Sequence, residues 1–149
     1  DWGVSLDDVY KQSIKNMPDC IFENIGDHLL RMLSEEQKSM MLVTEDAFTS
    51  CVPPLWVLSN FDLKRPYGAS QILNIAVLNS IRKTFGSDYY MIPSSIHEWI
   101  LAPCDIFGDG AEEELLDLCS SINVSDVQPE DVLGSFILKY DGKEVTKVA

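Results

Sequence analysis

The sequence predicts an α+β domain in which a small, mostly antiparallel sheet packs against amphipathic helices, with an N-terminal helical segment ahead of it. Three stretches carry that prediction. From Ala69 to Phe85, residues Ile72, Leu73, Ala76, Val77, Ser80, Ile81 and Thr84 keep the three- and four-residue spacing of a buried helix face. Lys83 sits at the end where a cation is favoured, and Gly86 is placed to cap it. Next, the apolar runs Tyr89 to Ile92 and Trp99 to Leu101 flank a polar corner and read as two strands of a hairpin. Last, Phe136 to Tyr140 and Lys143 to Val148 alternate around Asp141-Gly142, the dipeptide of a two-residue hairpin turn.

Taken in order, Ser5-Leu6-Asp7-Asp8 is a helix start, because a serine N-cap accepts from first-turn amides and the aspartates meet the positive end of the dipole. Leu6, Val9, Ile14 and Met17 fall on one face, and Pro18 ends the run. A second helix is expected from Asn24 to Leu33, with Ile25, Leu29, Leu30 and Leu33 as its stripe and His28 as a surface or half-buried position. Ser34 to Lys38 fits a loop or a helical turn, and Met40 to Val43 is too brief to assign. Glu45 to Pro54 reads as a surface excursion, since Pro53-Pro54 cannot sit in a central strand. Leu55 to Leu58 is a strand by its content, and Asn60 to Pro66, with Asp62, Lys64 and Arg65, is a polar loop. Cys104 to Gly110 is a turn-rich link; its Asp105 and Asp109, with Glu112 beyond, lack the ligand spacing of a calcium loop, so no metal site is expected. Ala111 to Ile122 is an amphipathic helix with Leu115, Leu116, Leu118, Cys119 and Ile122 inward. Pro129 suits the first position of a short helix. With no repeat or internal linker, residues 1–149 read as one domain, a helical lead-in to about 38 and a sheet-and-helix core from about 40.

A chain of 149 residues that is 46% hydrophobic can bury a core without staples. Its 24 acidic against 11 basic residues give a formal charge of −13, which repels phosphate backbones and anionic lipid. Nucleic acid and membrane surfaces are therefore not expected partners, whereas a protein or small molecule is. Cys20, Cys51, Cys104 and Cys119 form no C-x-x-C pair and read as reduced, mostly buried thiols of a cytoplasmic protein. No apolar run approaches the roughly 20 residues that span a bilayer. The chain begins at Asp1 rather than Met, so a piece of a longer protein is expected.

Chemistry concentrates in the corner Ser94-Ser95-Ile96-His97-Glu98. Ser95, His97 and Glu98 supply a nucleophile, a base and an acid, and Ser94, Ser95 and His97 are candidate ligand-binding residues. Neighbours along one strand rarely form a triad, because Glu98 points to the opposite face from His97. The plainer expectation is that Ser94 and Ser95 bond the backbone of the turn, His97 satisfies a buried carbonyl or carboxylate, and Glu98 is solvated. Asn60 and Tyr67, beside Gly68, form a second candidate ligand group at a strand end. Nothing resembles a phosphate-binding loop, and no cofactor is expected. The leading expectation is a non-catalytic module for a protein or small ligand. The alternative is a hydrolase using Ser95 and His97 with a carboxylate from Asp88 or Asp62.

These residues also carry a resemblance. The order W-G-V-S, K-N-M-P, W-V-L-S-N, Y-G-A, F-G-S-D-Y-Y, P-S-S-I-H-E and V-x-P-E-D-V-L, from Trp2 to about Tyr140, resembles the Firmicutes domain-of-unknown-function family 5688. P-S-S-I-H-E is its most specific part, and Glu45 to Pro54 departs most from the pattern. The resemblance implies a bacterial, cytoplasmic chain corresponding to the C-terminal half of a longer protein, and it implies no activity, cofactor or catalytic residue; contact of an apolar face with the N-terminal half belongs to the binding-module expectation.

Overall fold

A computed structural model describes residues 3–61 and 67–149. The start of the chain builds the expected helix: Ser5 Oγ accepts from the Asp8 amide and the Asp8 carboxylate accepts from the Ser5 amide, a reciprocal cap that opens α1 (Leu6–Asn16). Its apolar face is not packed inward. No residue of α1 is buried, Leu6 is 86% exposed, and Tyr10 ties the helix to the body by donating to the Leu73 carbonyl.

The chain then enters β1 (Cys20–Asn24), a strand the sequence reading did not foresee, and Asn24 caps α2 (Ile25–Met32) by accepting from the Gly26 amide. α3 (Glu35–Ser39) opens on a second reciprocal cap, between Ser34 and Gln37. The expected surface excursion after Glu45 is instead a helix, α4 (Glu45–Cys51), because Thr44 accepts from the Ala47 amide and the proline pair comes only after its end. α2 crosses α4 closely: a Cβ on Gly26 would stand 3.0 Å from Thr49 Cα.

β2 (Trp56–Asn60) follows. The single long helix expected from Ala69 divides into a 3-10 helix, Gly68–Leu73, and α5 (Ile75–Phe85). Asn74 makes the break: its backbone is extended (φ −93°, ψ 95°) and its side chain caps α5 at the Ala76 amide. Gly86 closes α5 in the left-handed conformation, φ 76°, as its position predicts. β3 (Tyr89–Ser95) and β4 (Glu98–Pro103) form the expected hairpin, followed by α6 (Cys104–Phe107), α7 (Glu112–Ser125) and a 3-10 turn, Pro129–Asp131. β5 (Leu138–Tyr140) pairs with β6 (Val145–Lys147), Tyr140 opposite Val145, so the paired strands are joined by residues 141–144 rather than by Asp141-Gly142 alone. Asp141 Oδ1 accepts from the amides of Lys143 and Glu144, which widens the turn.

The strands form one antiparallel sheet in the order β1-β2-β4-β3-β5-β6, and the fold is α+β. β3 is buried along its whole length. Tyr90 and Ile92, with Ile100 of β4, face Leu115 and Cys119 of α7. Tyr89 and Met91, with Trp99 and Leu101, face Leu78 and Ile81 of α5. Helices on both faces explain why Tyr89 to Ile92 is a continuous apolar run instead of an alternating one. Of the cysteines only Cys119 is buried; Cys20 and Cys104 are half-buried and Cys51 is exposed, which corrects the expectation of mostly buried thiols. All four are free, and burial pushes the Cys20, Cys104 and Cys119 thiols up, away from the thiolate form.

Two core tyrosines give a pH test. Tyr89 donates to the Leu78 carbonyl and Tyr90 to Gly108 O and the Glu112 carboxylate. Burial raises both phenols, that of Tyr90 to about 12. An unfolded tyrosine ionises near pH ~10, so this stabilisation is full below that pH and is lost as pH rises through about 12. The urea midpoint should fall steadily from pH 9 to pH 12, with the late-ionising tyrosines appearing in the 295 nm absorbance only as the domain unfolds. A midpoint flat over that range would refute the assignment.

Candidate functional site

The corner between β3 and β4 is held by bonds to its main chain from both backbone and serine hydroxyl partners. The ladder shifts register between Pro93 and Ser95, leaving Ser94 as the extra residue and pairing Ser95 with Glu98. Ile96 and His97 then make the turn. The His97 amide donates to Ser95 Oγ (3.0 Å), Ser59 Oγ donates to the His97 carbonyl (2.8 Å), and the Ile96 amide donates to the Asp131 carbonyl (2.8 Å). The Ala69 amide reaches Ile96 O from the other side. Gly68 lies so close that a Cβ there would stand 2.3 Å from His97 O and 2.6 Å from the Asn60 nitrogen. Beside it Tyr67 takes a left-handed conformation, φ 71°, the one such non-glycine among the described residues. That placement aims the Tyr67 amide at His97 Nδ1 (3.2 Å), with the two rings 6.0 Å apart.

The protonation of His97 follows. Because Nδ1 accepts from the Tyr67 amide, a neutral ring carries its proton on Nε2, which stands 3.6 Å from Asp131 Oδ2. Ser95 Oγ is turned to the backbone of its own turn. Ser95 and His97 thus line one polar cavity of about 190 Å³, together with Glu98, Asp126, Gln128 and Asp131, yet the bonds of each run elsewhere. Ser95 meets the expectation of a turn-bonding serine. Ser94 does not: its hydroxyl donates to Glu98 Oε1 (3.2 Å).

Glu98 leads to a group that sequence reasoning missed. Its Oε2 stands 3.7 Å from Nε2 of His28, which is buried at 7% exposure, deeper than the surface or half-buried position expected. His28 Nδ1 donates to Glu23 Oε1 (2.7 Å), and Arg31 donates to the same oxygen through Nε and Nη2. The signal in the sequence is faint: His28 lies one turn after Ile25, on the helix face that packs on the sheet, but Glu23 becomes its partner only because β1 exists. Asn60 is buried and accepts from Gln71 Nε2, which also donates to the Pro18 carbonyl; it does not line the polar cavity. Asp88 sits at the far end of β3, paired with Arg82 at 2.8 Å, and Asp62 lies outside the described residues.

On the other side of the Ile96-His97 turn lies an apolar groove of about 430 Å³. Tyr67, Ile72, Ile96, Trp99, Leu133 and Phe136 line it, and Trp99 forms its buried floor, with the indole N–H donating to the Ala69 carbonyl. Leu133 and Phe136 reach it from the segment between the Pro129–Asp131 turn and β5, a long-range approach invisible in the sequence. A recess of about 510 Å³ along α1 is lined by Val4 and that helix alone and has no opposing wall. Among the described residues no group of three His, Cys, Asp or Glu side chains is placed to hold a metal ion, and no helix is long and apolar enough to cross a membrane.

Fold and site together define an antiparallel α+β domain whose central hairpin turn separates an apolar groove from an acidic polar cavity. The chain matches the family of unknown function DUF5688 over residues 1–142 and belongs to it. No curated protein and no solved structure matches the chain.

The closeness of Gly68 to two backbone atoms sets a stability test. Gly68→Ala should cost about 2 kcal/mol, because neither the His97 carbonyl nor the Asn60 amide can move without breaking the turn. Urea unfolding measures it, and a loss within error of zero would contradict the packing.

Proposed function

We propose that this domain is a non-catalytic binding module that receives an apolar group of a protein or small ligand in the groove beside the hairpin turn. The observation that carries the reading is the groove itself: about 430 Å³ walled by aromatic and aliphatic side chains on a buried Trp99 floor. That volume and lining match the ordinary character of ligand sites. The polar corner supports the reading from the other direction. A serine hydrolase needs a base joined to its nucleophile, and here His97 Nδ1 is engaged by the Tyr67 amide while Ser95 Oγ is engaged by the His97 amide. Four free thiols fit a reducing, cytoplasmic compartment.

Two expected outcomes test this. Nile red, a neutral apolar dye, should bind and fluoresce, and Leu133→Asp should weaken it by about tenfold or more, because a carboxylate at a half-exposed groove position must lose water when the dye enters. Circular dichroism should show the variant folded. In an esterase and amidase panel the protein should give no rate above buffer; hydrolysis that His97→Ala abolishes would replace this reading with the hydrolytic one.

A further inference from the structure

Resting on the groove reading, we infer that the natural occupant is a segment of a partner protein that carries a lysine or arginine close in sequence to an apolar anchor, seated astride the Ile96-His97 turn. The anchor fills the groove and the cation enters the polar cavity. The two recesses are lined by close sequence neighbours: Ile96 lines the groove and Ser95 and His97 line the cavity, while Leu133 lines the groove and Asp131 the cavity. They are therefore adjacent compartments divided by one turn. Their chemistry differs. The groove is apolar, whereas the cavity is lined by the carboxylates of Glu98, Asp126 and Asp131 with no lysine or arginine among its lining residues.

Charge complementarity selects the occupant. A carboxylate-lined recess in a chain of formal charge −13 attracts a cation and rejects an anion. Glu98 is positioned in part before binding, because the Ser94 hydroxyl donates to one of its oxygens. Asp131 and the Nε2 of His97 stand 3.6 Å apart, beyond hydrogen-bond length, which leaves the carboxylate oxygen available to a stronger donor. Size argues for a chain over a small amine. Recesses of about 430 and 190 Å³ flanking one turn leave room for an apolar side chain in one and a cationic side chain in the other, whereas a simple ammonium ion would occupy only the lesser. Tyr67, 61% exposed at the ridge, offers its ring face to the cation or to the crossing backbone.

The test uses short acetylated, amidated peptides with a leucine or phenylalanine and an arginine one, two or three positions away in either direction. Each has a twin in which citrulline replaces the arginine, keeping shape and hydrogen bonding but not charge. Binding to the whole chain is read by NMR shift perturbation and fluorescence anisotropy. At least one arginine peptide should bind about tenfold more tightly than its twin, with the advantage shrinking in 0.5 M salt. Glu98→Gln with Asp131→Asn should erase that advantage while leaving the twin's affinity in place. Equal affinity of arginine and citrulline peptides overturns the inference and leaves the groove reading standing. So does Nile red binding with no peptide binding, or n-butylammonium binding as tightly as the best arginine peptide. Failure of Nile red and every peptide alike removes the groove reading, and this inference with it. The citrulline comparison needs no variant, so a folding defect in the double substitution cannot mask the answer.

Discussion

Complete burial of β3 is the constraint on which the remaining architecture depends. A strand whose side chains are covered on both faces needs a layer of helix above and below, and α7 and α5 supply those layers with Leu115 and Cys119 on one side and Leu78 and Ile81 on the other. Each large apolar side chain so covered contributes about 1.5–3 kcal/mol of transfer free energy, and Tyr89, Tyr90, Met91 and Ile92 are consecutive. The strand cannot slip by one residue without exchanging its two sets of partners, so register and layer order are specified together. Pro93 falls where this can be tolerated: β5 pairs only with Tyr89–Met91, so the strand has no ladder partner on that side by the time the proline is reached. The bulge and turn follow at once.

That sequence of events makes the turn rigid. The Ile96-His97 backbone is bonded from four directions, by Ser95, Ser59, Ala69 and Asp131, and Gly68 packs against it without room for a methyl group. The cost is local strain at Tyr67, of order 1–3 kcal/mol for a non-glycine in a sparsely populated region. A ridge of this kind holds the side chains on either flank at fixed separation. Preorganisation suits recognition, and it leaves little freedom for the hydroxyl of Ser95 and the ring of His97 to find each other.

The sequence contained much of this architecture. Ser5, Gly86, Pro129 and the runs on either side of the polar corner fixed their elements through local chemistry: capping, left-handed backbone and pattern. The misses share a different physics. Thr44 was a legible cap for α4, outweighed by the proline pair that follows; Asn74 interrupted a helix periodicity that continues unbroken across it. β1 is short, contains Glu23 and Asn24, and is a strand because β2 pairs with it. With β1 unseen, the partner of His28 was unseen as well. The groove was least legible of all, since Trp99, Ile72 and Phe136 converge from three separate segments and no local pattern distinguishes a core aromatic from one that floors a cavity.

The Glu23–His28–Glu98 line shows why the polar corner is more than a solvated turn. Two glutamates approach one buried imidazole; Nδ1 donates to Glu23, so in the neutral ring the Nε2 lone pair would face Glu98 Oε2, an acceptor opposite an acceptor. Arg31 and His28 both donate to Glu23 Oε1, while Glu98 takes its hydrogen bond from Ser94. The buried face of α2 and the wall of the polar cavity thus meet at one carboxylate, Glu98, which ties the packing of that helix to the shape of the site.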